Sequence, residues 1–389
     1  MTKAKLTLIN ITGPDHPGIT ARLMQCLEEE NIELHDIGQS VTYGLLSLSF
    51  IISVPNDSSV VKDLLFQATE MGMKLEYREV EKLGKAPHLE AYIISCISPS
   101  TITPKFMKEF SSLLAQNKIN IKRIDNLNPK AFSSIDFQIE VATNQSDLDK
   151  IKQGLLSLSH SHALDLALLK DNVWRRNKRL IVFDMDSTLI QSEVIVEMAK
   201  VHGVGEKVHD ITERAMNGEL NFDQSLTERV SLLEGLNVDK LDEILRDIKL
   251  TDGVEKFLET IQKLGYKTAI ISGGFLHFAK HFQKRLGIDY AFANDLMVDS
   301  GKLTGKIKGE IINAKQKAIL LEMLAQQEGI NLEQVVAIGD GANDLPMLAK
   351  AGLGIAFHAK EVVKKEASQH MSFGNMDSIL HFLGIPGEV

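Results

Sequence analysis

Three short apolar runs, residues 180–183, 268–271 and 335–338, each lead directly into a polar motif. Runs of this length with no hydrophilic side suit strands covered on both faces, and the segments between them carry helical periodicity. The alternation predicts an α/β domain from residue 178 to residue 389, a doubly wound parallel sheet with helices on both sides. In such sheets the binding crevice lies at the carboxyl ends of the strands, so residues distant in sequence converge there. Those ends carry Asp184-Met185-Asp186-Ser187-Thr188, Ser272-Gly273-Gly274 and Gly339-Asp340-Gly341-Ala342-Asn343-Asp344, with Lys317 between the second and third.

These residue types describe a metal-assisted phosphoryl-transfer site. Asp184 and Asp186 stand two apart, so on an extended strand end their side chains can lie on one side. One can attack phosphorus while the other carries a proton, and the resulting acyl phosphate divides one hard displacement into two easier ones. A phosphate dianion repels an attacking carboxylate, so a cation is needed between them. Oxygen-only ligands point to Mg²⁺, with Asp340 as a further ligand. Asn343 and Asp344 sit where they would orient ligand and water. Ser272, with the backbone N–H groups of Gly273 and Gly274, can donate to phosphate oxygens, and Lys317 adds a fixed positive charge.

With DMDST, ISGG and GDGANDLPM in this order, the chain from about Lys178 resembles the haloacid dehalogenase superfamily and, within it, the phosphoserine phosphatases. The resemblance implies Asp184 as nucleophile and metal ligand. It implies Asp186 as general acid and base, touching the metal through its main-chain carbonyl, and Lys317 as the motif lysine, with Lys315 the competing position. It also implies Mg²⁺-dependent hydrolysis of O-phospho-L-serine through an aspartyl-phosphate, the last step of L-serine biosynthesis. The alternatives are the same chemistry on another small phosphate such as phosphohomoserine, phosphotransfer to a second alcohol, or a non-catalytic amino-acid-sensing regulator. An intact set of Asp184, Asp186, Ser272, Lys317 and Asp340 argues against the last.

Residues 191–250, between the first two motifs, have helical periodicity and charged faces, which fits a helical cap that closes over the site and excludes water. Phosphoserine carries an ammonium and a carboxylate beyond its phosphate, so the cap should supply one acid and one bidentate base. Glu193 and Arg229 fit these roles and match positions the family uses, while Met216 and Phe222 would form apolar walls.

The first half reads as strand, helix, strand, strand, helix, strand, twice over: residues 1–83 and 88–170, joined by a linker at residues 82–87. The segment Glu30-Asn31-Ile32-Glu33-Leu34-His35-Asp36-Ile37 matches Asn117-Lys118-Ile119-Asn120-Ile121-Lys122-Arg123-Ile124, an internal duplication. Both units resemble ACT domains, ferredoxin-like βαββαβ modules that sense amino acids. In the first copy Asp15, His16 and Gly18 stand at the turn where such domains usually hold a ligand, here L-serine or another amino acid. In the second copy Ile102, Thr103 and Lys105 replace them, which weakens a sensing role.

The chain of 389 residues is too long for one ordinary core. Its net charge of -9, with no long basic tract, argues against nucleic acid as a partner. No apolar run approaches the roughly 20 residues that span a bilayer. The first apolar stretch, broken by Asn10, Thr12 and Pro14, reads as a strand, not a signal peptide. Cys26 and Cys96 are the only cysteines and are expected to be buried free thiols, consistent with a cytoplasmic setting. An even number of ACT-like units with exposed sheet edges favours a homodimer.

Overall fold

The computed structural model describes residues 5–81, 89–128, 131–142, 145–216 and 219–385. The expected linker at 82–87 lies outside these. The chain divides into two compact units, Met1–Pro87 and His88–Val389.

In the first unit, β1 (Lys5–Pro14), α1 (Ile19–Glu29), β2 (Leu34–Thr42), β3 (Leu45–Val54), α2 (Val60–Glu70) and β4 (Lys74–Glu79) build an antiparallel sheet of order β2-β3-β1-β4. Ile19, Leu23 and Leu27, spaced on one helical face of α1, are buried with Leu46, Leu48, Phe50 and Ile52, the inward residues of β3. Cys26 is only half-buried, because it falls on the shoulder of that helical face; Cys96 is buried as expected.

The second unit begins with the same module: β5 (Leu89–Ile97), α3 (Pro104–Gln116), β6 (Ile121–Asn126), β7 (Ser134–Ala142), α4 (Gln145–His162) and β8 (Asp165–Lys170), in the order β6-β7-β5-β8. The duplication extends to backbone detail. Asn31 and Lys118, matched in sequence, both take the left-handed conformation after their helices (φ 52° and 57°). The register of the following strand then shifts at Leu34/Asp36 in one copy and at Ile121/Arg123 in the other. The helix starts differ. Thr103 caps α3 by accepting from Phe106 N at 3.3 Å, whereas α1 starts from Gly18, with φ 96° and no side-chain cap.

β9 (Leu180–Phe183) opens the catalytic sheet and is followed by four cap helices, α5 (Val194–His202), α6 (Gly205–Met216), α7 (Phe222–Ser231) and α8 (Asp239–Asp247). Ile190 and Leu250 form an antiparallel bridge, Gln191 N donates to Lys249 O at 3.0 Å, and Thr251 N donates to Leu189 O at 3.1 Å. The cap thus leaves and re-enters at one point.

The chain continues through α9 (Val254–Lys263), β10 (Lys267–Phe275), α10 (Leu276–Leu286), β11 (Tyr290–Asp299), β12 (Lys302–Lys308), α11 (Ala314–Gln327), β13 (Val335–Gly339), α12 (Leu345–Lys350), β14 (Leu353–Phe357), α13 (Glu361–Glu366), β15 (Gln369–Met371) and α14 (Ile379–Phe382). The sheet order is β12-β11-β10-β9-β13-β14-β15. Alternate residues of the central strands feed two separate cores. Ile181, Phe183, Ile270 and Ile338 pack with α9, α10 and α14. Leu180, Val182, Ile271 and Ala337 pack with α11, α12 and α13. Double-sided burial explains why these strands read as unbroken apolar runs.

Two features depart from the sequence expectation. The edge strand β12 is antiparallel, joined to β11 by a tight turn in which Ser300 and Gly301 both have positive φ (46° and 77°), the geometry that suits a two-residue hairpin. β10 does not end at Ile271. It runs through Ser272-Gly273-Gly274 to Phe275, with its register to β11 broken between Ile271 and Phe275.

The second βαββαβ module is tied to the catalytic sheet by buried polar contacts. The Gln369 side chain on β15 accepts from Leu168 N (2.9 Å) and donates to Leu168 O (2.7 Å) on β8. Asp165, fully buried, accepts from Ser372 N (2.6 Å), Phe373 N (3.1 Å) and Gly374 N (2.7 Å). Among the described residues no helix is long and apolar enough to cross a membrane. Asp165→Ala would strand three N–H groups, that of Gly374 buried and those of Ser372 and Phe373 partly so, and we expect a loss of about 2–4 kcal/mol in stability. An unchanged denaturation midpoint for the full chain would contradict this account.

Candidate active site

Strand ends and one helix bring the motif residues together. Asp184 follows β9, its N–H donating to Ile338 O on β13 at 2.8 Å, which sets the two strand ends side by side. Beyond it Ser187 turns the chain with φ 56°, a conformation costing a non-glycine residue about 1 kcal/mol. The turn leaves both Asp184 and Asp186 buried. Asp186 Oδ1 accepts from Val194 N at 3.0 Å, at the start of α5, where the helix dipole favours a carboxylate.

Lys317 is fully buried and its Nζ donates at 2.7 Å to Asp184 Oδ1 and at 2.7 Å to Asp344 Oδ1. Lys315, two residues earlier, is exposed. Asn313 fixes this helical phase by accepting from Lys315 N and Gln316 N as the N-cap of α11. Asp344 Oδ2 accepts from Gly341 N at 3.0 Å, and Thr188 Oγ1 donates to Asp340 Oδ1 at 3.1 Å. Gly339 is required here, since a Cβ at that position would lie 2.5 Å from the Asp344 carboxyl.

Oxygen atoms of Asp184, Asp340 and Asp344 lie within 4.8 Å of one another. Burial, then Asp344, push Asp184 up, with Lys317 opposing. Burial, then Asp344 and Glu193, push Asp340 up to about 7. Burial, then Glu193 and Asp184, push Asp186 well above the usual carboxylate range. Burial works against the Lys317 ammonium, but Asp184 and Asp344 outweigh it and raise its pKa. A buried, mutually repelling, all-oxygen cluster is the donor set that a hard divalent cation relieves, so these residues fit such an ion.

The strand ends open into a cavity of about 570 Å³ roofed by the cap. Asp184, Asp186, Ser272, Gly273, Asp340 and Asn343 line its floor; Glu193, Phe222 and Arg229 reach it from the cap side. Glu193 Oε1 accepts from Ser187 Oγ at 2.9 Å. Arg229 is half-buried, with Nε donating to Ser225 O at 3.3 Å; burial lowers its pKa, opposed by Glu193 and Asp186. Phe222 packs on Gly273, where a Cβ would meet its ring at 2.9 Å. The Gly274 N–H, expected to face phosphate, is instead taken by Ser272 Oγ at 2.9 Å, which leaves the Ser272 hydroxyl proton for another acceptor. Met216 ends α6, and its side chain lies outside the described residues. In the first unit, Asp15, His16 and Gly18 form an exposed turn, with Asp15 N donating to Gly44 O at 2.9 Å.

Residues 178–352 match the haloacid dehalogenase-like hydrolase family and residues 5–78 match the ACT domain. The phosphoserine phosphatase of Streptomyces coelicolor is 35% identical over 384 residues, which cover 98% of this chain and 92% of that protein. The chain belongs to the phosphoserine phosphatase family. The phosphoserine phosphatase of Archaeoglobus fulgidus is 46% identical over 255 residues, 66% of this chain and 74% of that protein. A crystal structure of a haloacid dehalogenase family hydrolase from Salmonella enterica serovar Typhi is 32% identical, with a TM-score of 0.65, covering 77% of this chain and all of that one. The match to the ACT domain covers the first module only; the second is recognised by its identical strand order.

Several contributors in this phosphatase were missed in the sequence. Asn294 donates to Gly273 O and accepts from Ile312 N, both at 2.8 Å, so it holds the Ser272 loop against the approach to α11. A lone Asn after the apolar start of β11 was its only signal. Asp223 on the cap accepts from Asn313 Nδ2 at 3.2 Å, linking the cap to the helix that carries Lys317. Ser225 Oγ is buried without a partner among the described residues, and the residue lines the cavity. We expect Lys317→Met, which leaves two buried carboxylates uncompensated, to cost about 3–5 kcal/mol. Lys315→Met should change stability by less than about 0.5 kcal/mol. Thermal unfolding of both variants compares them directly, and equal losses would refute the placement of Lys317.

Proposed function

We propose that this chain hydrolyses O-phospho-L-serine to L-serine and phosphate with Mg²⁺, the last step of L-serine biosynthesis. The observation that carries this reading is the cavity whose floor holds Asp184, Ser272 and Asp340 while Glu193 and Arg229 face it from the cap. Asp184, Asp340 and the main-chain carbonyl of Asp186 would hold the ion, with Asp344 orienting the set through Lys317 and Gly341. When bound, Mg²⁺ neutralises charge between the phosphate and the carboxylates.

Asp184 Oδ1 is held by Lys317, and Oδ2 takes no hydrogen bond among the described residues, so Oδ2 is the attacking atom. The P–O bond to serine breaks as the Asp184–phosphorus bond forms. Asp186, kept toward its protonated form by burial and by Glu193, gives its proton to the leaving alkoxide. Asp186 then removes a proton from water, which attacks phosphorus and frees Asp184. Ser272 and Lys317 stabilise the transferring phosphoryl group, with Gly273 and Asn343 beside it. Arg229 binds the substrate carboxylate as a planar fork and Glu193 the ammonium, and Phe222 walls the methylene. Met216 would add to that wall.

The same reading places the enzyme in the cytoplasm as a homodimer, supported by exposed apolar residues Leu34, Ile37 and Val41 along the β2 edge. It assigns L-serine or another amino acid to the Asp15, His16 and Gly18 turn, supported by the ACT match.

Phosphate release from phosphoserine, phosphohomoserine and a generic aryl phosphate should favour phosphoserine and vanish with excess chelator. Activity on the aryl phosphate alone would keep the chemistry and discard the cap assignment. On the same panel Arg229→Ala should raise KM for phosphoserine by about 10- to 100-fold and spare the aryl phosphate. Asp184→Asn should stay folded and lower kcat by on the order of 10⁴ or more. Near-normal turnover in that variant would exclude it as nucleophile.

A further inference from the structure

A second cavity, of about 810 Å³, opens where the second βαββαβ module meets the catalytic sheet and shares no residue with the phosphate-ester site. Leu155 of α4 and Leu168 of β8 give it an apolar floor, and the opposite wall is formed by α13 and β15. Volumes of this order suit small organic ligands, and an apolar bed with few convergent polar groups is the usual composition of such sites.

The polar groups here are unbalanced. Lys152 and Lys365 line the cavity, and neither has a hydrogen bond or ion pair among the described residues. Lys364 is drawn in, its side chain 11% exposed, and donates to Glu361 Oε1 at 3.0 Å. Glu361 also faces His160 Nε2 at 3.4 Å, so the one carboxylate lining the cavity among the described residues is already engaged. His370 lies in the wall at 8% exposure, and its Nε2 is buried with no partner among the described residues. Buried side-chain nitrogens are nearly always paired, because leaving one unpaired forfeits its hydration without return. Burial, with Lys364 and His160, lowers the His370 pKa to about 4, so this wall residue is neutral and the lysines carry the positive charge.

We infer that this cavity binds a small organic anion with a hydrocarbon body, its acidic group drawn to Lys152 and Lys365 and its body on Leu155 and Leu168. Such a ligand touches both the second module and the edge of the catalytic sheet, so its binding favours their present arrangement.

Octanoate and octan-1-ol serve as probes, titrated calorimetrically against the full chain with Mg²⁺ and against the Lys152→Glu/Lys365→Glu double variant. Both substituted residues are exposed and outside the phosphatase site, so the variant should fold and turn over phosphoserine normally. Octanoate should bind saturably, octan-1-ol at least about tenfold more weakly, and the double variant should lose octanoate affinity by at least about tenfold. Absence of saturable octanoate binding, equal affinity for the alcohol, or unchanged affinity in the double variant would each overturn the inference.

Discussion

One ammonium group organises the catalytic half. Lys317 Nζ, 2.7 Å from both Asp184 and Asp344, joins the end of β9, the first turn of α11 and the loop after β13, and is itself fully buried. None of the three charges would be stable there alone, since each would carry an uncompensated desolvation cost. Together they make the site conditional on the fold: the strand ends, the helical phase of α11 and the glycines flanking Asp340 must all be right at once.

The clamp also reaches the cap. Asn313, which sets the phase of α11, bonds Asp223 on α7, and Phe222 beside it rests on Gly273. A displacement of α7 is therefore felt at the Ser272 loop and at the helix that carries Lys317. On the proposed reading, Arg229, carried on the same helix, would share this short path of contacts with the positioning of the phosphate.

The central strands were legible because burial on both faces leaves no alternation to misread, and because each strand ends in residues with no structural reason to follow it. The matched segments around Asn31 and Lys118 announced the duplication for a similar reason: a left-handed helix exit and a bulge impose the same local pattern twice. The choice between Lys315 and Lys317 was not decidable locally, since it depends on where Asn313 starts the helix. The β11–β12 hairpin escaped because its turn, Ser300-Gly301, lies within a polar edge ribbon with weak patterning. Contacts such as Asp165 with residues 372–374, or Asp223 with Asn313, leave no trace in sequence, because a polar side chain looks the same whether its partner is water or a distant backbone.

The paired backbone at Ile190 and Leu250 has an evolutionary consequence. Everything between those residues hangs from a closed neck, so the inserted helices can change at positions other than Val194, Phe222 and Asp223, which touch the floor, without moving the ends of β9 or β10. On the proposed reading, selectivity is thereby open to change at positions that leave the reactive floor in place. Such a chain can drift toward a new phosphate ester by altering those inserted positions, while the contacts that couple α7 to Lys317 and Ser272 are kept.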